Sequence, residues 1–227
     1  MKQSIRLIKV AISIPVAALF YIAILIMVSI PTHGINVVLG VPPNVFTGDI
    51  DSLLVGKWLL MMCTPLVVQG QLLENSQKIA LFAKLRLHKQ KYFRFHVLGA
   101  CLLVAVVWNI SLVLLTVFME DWETAIGVLC MLLPNSLMWS VGNVYLYYAF
   151  RKKARSGIML LGLMGASCIL SFYAPNLASI LPSTWGMFTC ASSSRYFSMI
   201  AKSYLMSLVL LVLFLILRED SYGKDSY

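Results

Sequence analysis

The chain has 227 residues, of which 60% are apolar and 12% charged, and its formal net charge is +9. Soluble globular domains carry about twice that charged fraction, so too few solvated groups remain to cover a water-facing surface. One large soluble core is excluded because buried soluble helices keep a polar stripe, and nucleic acid is not indicated because the basic residues punctuate long uncharged stretches.

Lys2, Arg6 and Lys9 precede an uncharged run from Val10 to Ile30. The run is too long for the apolar region of a signal peptide, and no A-x-A-like site follows it. It predicts a retained first span, Ile8–Ile30, with Pro15 in its early turns. Pro31, Gly34, Gly40, Pro42, Pro43 and Gly48 then mark an external loop. The apolar middle of that loop, Ile35–Val41, has Asn36 as its one polar side chain and is expected to lie on or dip into the membrane.

Span two is expected at Leu53–Leu73, with Lys57 near its outer end, and is followed by the most polar stretch, Glu74–His96. Span three, Val97–Met119, is joined to span four, Ala125–Phe150, by the acidic turn Glu120, Asp121, Trp122, Glu123. The basic connection Arg151–Arg155 leads to span five, Gly157–Tyr173. The uncharged but interrupted segment from Ala174 precedes Arg195 and span six, Phe197–Leu217, and a short polar tail closes the chain. Fifteen of the 18 Lys and Arg residues fall on the side of the termini, the segment after span two and the segment after span four. That bias puts both termini in the cytoplasm. Lys57 and Lys202, near the outer boundaries, read as snorkelling charges. The expected fold is a single all-α integral membrane domain, residues 1–227, with six spans.

Few groups suit chemistry. Cys63, Cys101, Cys130, Cys168 and Cys190 are too widely spaced for a zinc or redox motif. His33, His88 and His96 form no metal-binding pattern, so no metal, cofactor or catalytic residue is expected. The expected spans contain no Asp or Glu, and the only glycosylation sequon, at Asn109, is inside a span. Polar residues within spans are Asn109 in span three and Asn135, Ser136, Ser140 and Asn143 in span four, beside Pro134. Positions 136, 140 and 143 share one helix face. They read either as a stripe facing a pathway or as interhelical hydrogen bonds, each worth about 0.6–2 kcal/mol.

Two segments stand out. In Glu74–His96, Ile79, Leu81, Phe82, Leu85 and Leu87 are interleaved with Lys78, Lys84 and Arg86, and positions 79, 82 and 85 recur at three-residue spacing. This short amphipathic stretch fits a lipid surface, a groove on a cytoplasmic partner, or a plain basic loop. In Ala174–Arg195, Pro175, Asn176, Pro182 and Gly186 break any long helix, which leaves room for short helices at Leu177–Leu181 and Thr184–Cys190. The segment reads as a re-entrant gate packed into the protein, or as a surface loop anchored by Trp185 and Phe188.

The acidic residue ending span two, the short apolar stretch and the basic cluster before Lys91 and Tyr92 resemble the permeases of the type-2 ABC exporter class. The likeness is greatest to the small permeases of lantibiotic and other peptide export or self-immunity, and it covers nearly the whole chain. It implies that Glu74 and the stretch Leu81–Tyr92, including Phe82, Lys84, Leu85, Arg86 and Lys89, couple to a separate ABC-type ATPase. That partner would hold ATP and magnesium, since this chain has no Gly-x-x-x-x-Gly-Lys-Ser/Thr loop. The resemblance also implies a second permease subunit, the same or related, in a bacterial plasma membrane, with a hydrophobic or amphipathic substrate such as a peptide. Family members often carry an amphipathic helix before span one, for which Met1–Leu7 leaves room for about two turns. The competing functions are a non-enzymatic channel or accessory subunit, and an integral-membrane enzyme acting on lipid or peptide.

Overall fold

The computed structural model describes residues 2–32, 34–41, 52–84, 90–150, 153–173, 180–188 and 193–217. These residues form seven α-helices and one short 3-10 turn: α1 (Lys2–Ala11), α2 (Ile14–Ser29), the turn Val37–Leu39, α3 (Ser52–Lys84), α4 (Gln90–Met119), α5 (Trp122–Ala149), α6 (Lys153–Tyr173) and α7 (Ser193–Ile216). The described residues thus form an all-α fold. Four stretches among the described residues are long and apolar enough to cross a membrane: Leu53–Ser76, Phe93–Met119, Trp122–Ala149 and Arg195–Ile216. If the bent pair α1–α2 is counted as one broken span the number is five, and α6 contributes the shorter apolar stretch Met159–Leu170.

The first apolar run is not one helix, which corrects the expected span Ile8–Ile30. α1 and α2 meet at 85°. The break falls at Ile12 and Ser13, where Ser13 is extended and Pro15 occupies the first turn of α2. A proline is tolerated there because the first amide groups of a helix have no partner within it. α1 is amphipathic: Ser4, Leu7 and Ala11 are buried, whereas Arg6 and Lys9 are exposed. Charges recurring on one face make this segment unsuitable for hydrocarbon and suitable for an interface. Its apolar side packs with Leu72 and Leu73 of α3 and Val97 and Leu98 of α4, and Asn75 Nδ2 donates to the carbonyl of Ala11 at 2.7 Å, satisfying the end of the helix.

The same end of the bundle gathers the start of α4 and the end of α7. Arg94 Nη1 donates to the Leu217 carbonyl at 2.9 Å, and its guanidinium lies 5.6 Å from the centre of the Phe214 ring. Tyr147 Oη donates to the Leu73 carbonyl at 2.9 Å. This is the basic end of the molecule.

At the opposite, acidic end, Asp121 caps α5 by accepting the Thr124 amide at 2.6 Å, which holds its carboxyl below the usual carboxylate range. Asn36 Nδ2 donates to Glu120 at 3.2 Å, while its carbonyl oxygen accepts the Val38 amide. Lys57 Nζ donates to the Ile30 carbonyl at 3.0 Å, so this charge closes the end of α2 rather than only reaching for the interface. The loop around Asn36 is likewise not laid on the membrane: Val37, Val38 and Val41 are fully buried within the apolar cluster of this end, beside Trp58 and Met187.

α5 is the axis of the fold. It packs against α4 and α7 and also touches α3 and α6. It continues from Trp122 to Ala149 through Pro134. Two apolar clusters fill the interior, one toward each end.

Candidate functional site

Where the two apolar clusters meet, the helices exchange hydrogen bonds through neutral side chains. Gln69 of α3 is wholly buried. Its Nε2 donates to the Cys101 carbonyl of α4 at 3.0 Å and to Ser140 Oγ of α5 at 2.8 Å, and its Oε1 accepts from Asn143 Nδ2 at 3.3 Å. One side chain thereby ties three helices together with all its polar atoms used. A second node follows on α4. Asn109 Nδ2 donates to the Ala105 carbonyl of its own helix and to Ser136 Oγ at 2.6 Å. Ser140 Oγ donates back to the Ser136 carbonyl at 2.7 Å. Asn109, Ser136, Ser140 and Asn143 therefore converge on one belt.

Gln69 is the member that sequence reasoning missed. It lies in Val68-Gln69-Gly70-Gln71, close to the expected end of span two, where polar residues read as boundary. The available signal was its position: two turns of helix still separate Gln69 from Ser76, also buried.

Asn135 is part of a different arrangement. Its Nδ2 donates to the Pro182 carbonyl at 2.8 Å, fastening the 180–188 segment to the middle of α5. Pro182 is half-buried, and Ser183, Thr184, Trp185 and Met187 are buried. Residues 182–186 form successive turns, with the Thr184 amide donating to Leu181 and the Met187 amide to Thr184, so the short helix expected from Thr184 is replaced by turn structure across these positions. Pro182 and Gly186 account for this: one lacks an amide, and the other seats against Asn135, with its missing Cβ position 3.3 Å from that side chain.

The segment and the Asn36 loop meet each other. Gly40 has a φ of +100°, and a Cβ there would fall 2.7 Å from Met187 Cβ. Only glycine meets both demands. Phe188 closes on α5 at Gly127, where a Cβ would lie 2.6 Å from its ring, and Tyr196 Oη donates to the Gly127 carbonyl at 3.0 Å. The result is a two-part cap on the acidic end. Ser183 Oγ within the cap, and Asn135 Oδ1 and Trp139 Nε1 on α5, are buried without a hydrogen-bond partner. Each such group costs about 1–3 kcal/mol.

The remaining expected positions divide by location. Glu74 is exposed on α3. Leu81, Phe82 and Lys84 lie on the last turns of α3, and Lys91 and Tyr92 on the first turn of α4, with their side chains outside the described part. Leu85, Arg86 and Lys89 lie outside the described residues, as do Pro175 and Asn176 and the expected helix Leu177–Leu181 except for its last two residues. No group of three or more His, Cys, Asp or Glu able to hold a metal occurs among the described residues. The belt is built of neutral side chains whose hydrogen bonds are made to one another and to the backbone, so what it does in this structure is pair α3, α4 and α5. Compared with protein-family models, curated proteins and solved structures, the chain matches none.

Proposed function

We propose that this chain is the membrane-spanning permease subunit of an ATP-driven exporter of the type-2 ABC class. In this reading it crosses a bacterial plasma membrane six times with its basic end in the cytoplasm, and it pairs with a second permease subunit. It moves a hydrophobic or amphipathic substrate, such as a peptide. ATP and magnesium belong to a separate ATPase chain.

The observation that supports the reading most is the length of α3. Its 33 residues span about 50 Å, against a hydrocarbon core of about 30 Å. The helix runs on past the last described buried residue, Ser76, into the basic stretch that contains Lys78 and Lys84. The part of α3 that follows Pro65 runs as continuous helix from Gln69 of the belt to Lys84, and such a continuous helix is suited to carry a push from an ATPase into the spans. The bent α1–α2 pair adds an interfacial helix before the first span, the element for which the sequence left little room.

Copurification from native membranes tests the reading. Phe82→Ala or Leu85→Ala is expected to weaken capture of a nucleotide-hydrolysing chain about thirtyfold, the effect of removing a central anchor worth about 2 kcal/mol. Lys89→Ala, a rim charge, should do less. Cross-linking from cysteines at Phe82 or Leu85 should trap the same chain. If no ATPase is trapped and the alanine variants behave as wild type, the exporter reading gives way to a channel or accessory subunit.

A further inference from the structure

α1 presents two surfaces of different chemistry. The face made by Ser4, Leu7 and Ala11 is consumed by the bundle: Ser4 Oγ lies 3.0 Å from where a Cβ on Gly99 would sit, and Leu7 and Ala11 share an apolar cluster with α3 and α4. The opposite face carries Arg6 and Lys9, both exposed, and α1 contains no acidic residue that could neutralise them. Apolar side chains border the charges. Ile5 is 41% and Val10 73% exposed, and beyond the bend Ile14 and Val16 of α2 are exposed as well.

The exposed residues on the two sides of the bend therefore grade from basic on α1 to apolar on α2. An acidic protein would leave Val10, Ile14 and Val16 uncovered. A bilayer boundary matches the gradation, because hydrocarbon takes the apolar residues and phosphate takes the cations. The 85° turn supplies the required geometry: a helix continuing into a span holds α1 close to the membrane plane.

We infer that the outward face of α1, through Arg6 and Lys9, is a binding surface for the phosphate headgroups of anionic glycerophospholipids. The inference uses the placement of the basic end at a membrane surface and is independent of any ATPase. Each basic side chain near an anionic surface strengthens attachment about fivefold, so the two together contribute on the order of twenty-five-fold. The contribution weakens with added salt. Because α1 is fastened to α3 by the Asn75 bond to Ala11, lipid held on this face is held against the bundle rather than on a free tail.

The test is lipid retention by the purified full chain. The protein is exchanged into mixed micelles containing phosphatidylglycerol or phosphatidylcholine, and bound lipid is counted by native mass spectrometry. Wild type should prefer phosphatidylglycerol, the double variant Arg6→Gln, Lys9→Gln should lose most of that preference, and the exchange variant Arg6→Lys, Lys9→Arg should keep it. Lys57→Gln, at the opposite end, should leave it intact. Circular dichroism confirms that each variant is folded. The inference is overturned if the double variant retains phosphatidylglycerol as wild type does, or if Lys57→Gln lowers retention equally. Displacement of the lipid by a soluble acidic peptide at matched charge would instead assign the face to a protein partner and would also overturn it.

Discussion

α5 and α7 lie side by side and are both long enough to span a bilayer, yet two thirds of the most apolar stretch of α5 (67%) is buried in the fold and only 17% of that of α7. The more buried helix is the less apolar one. α5 carries Asn135, Ser136, Ser140 and Asn143, all buried, whereas α7 turns Leu205, Leu208, Val212 and Ile216 outward. In water the order would be reversed. In lipid, apolar side chains gain little by leaving the solvent, so the interior is marked by groups that hydrocarbon rejects and by small residues that allow close approach. Gly142 is one such residue: a Cβ there would already touch Leu210 of α7 and Leu160 of α6.

That contrast can be broken or sharpened by substitution, and melting of the purified protein in detergent is the measurement. The largest effect is expected from Leu132→Ala, which opens a cavity in the buried face of α5 and should cost about 2–5 kcal/mol. Gln69→Leu comes next. It strands Asn143 Nδ2 and removes the extra donor to the Cys101 carbonyl, and a loss of about 1–3 kcal/mol should appear as a lower melting temperature. A neutral result would mean that water or a rotated side chain replaces these partners.

Leu208→Ala on α7 should be smaller still, below about 0.5 kcal/mol, because the residue is 58% exposed. Should it instead cost as much as Leu132→Ala, that face of α7 is covered by protein, and sedimentation or cross-linking would then reveal a second copy. The smallest effect is local. The Thr124 amide holds the Asp121 carboxyl below the usual range, so the cap contributes fully above the ordinary carboxylate pKa and is lost as the pH falls through the lowered value. Protection of the Thr124 amide, measured relative to its intrinsic exchange rate at each pH, should fall on acidification, and Asp121→Asn should flatten that dependence.

Much of the helical plan was legible because apolar runs between charge clusters have one explanation in a chain this poor in charge. The runs from Leu53, Val97, Ala125, Gly157 and Phe197 lie within helices of the fold, apart from the end residues Phe150 and Leu217. What misled was a run that contained a hidden boundary. Ile8–Ile30 reads as continuous in hydropathy, while Ser13 followed by Pro15 is a helix start written inside it. The acidic-end cap was legible only as an irregular apolar loop. Hydropathy cannot tell lipid from protein as the cover for Val37 and Val38, since both are apolar. The belt was read on two helices out of three. Asn109 and the α5 residues announce themselves in the middle of spans, but Gln69 acquires its meaning only when α4 and α5 bring the Cys101 carbonyl and Ser140 to it.

The contact between Gly40 and Met187 also sets an order of events during synthesis. About 150 residues separate the two, so at 5–20 residues per second Val37, Val38 and Val41 wait roughly 7–30 s for the segment that covers them. During that interval these valines stand at the acidic end without their final neighbour. In a chain with this arrangement the acidic end closes only when all but the last helix has been made, and an arrest of translation before Met187 would leave that end open.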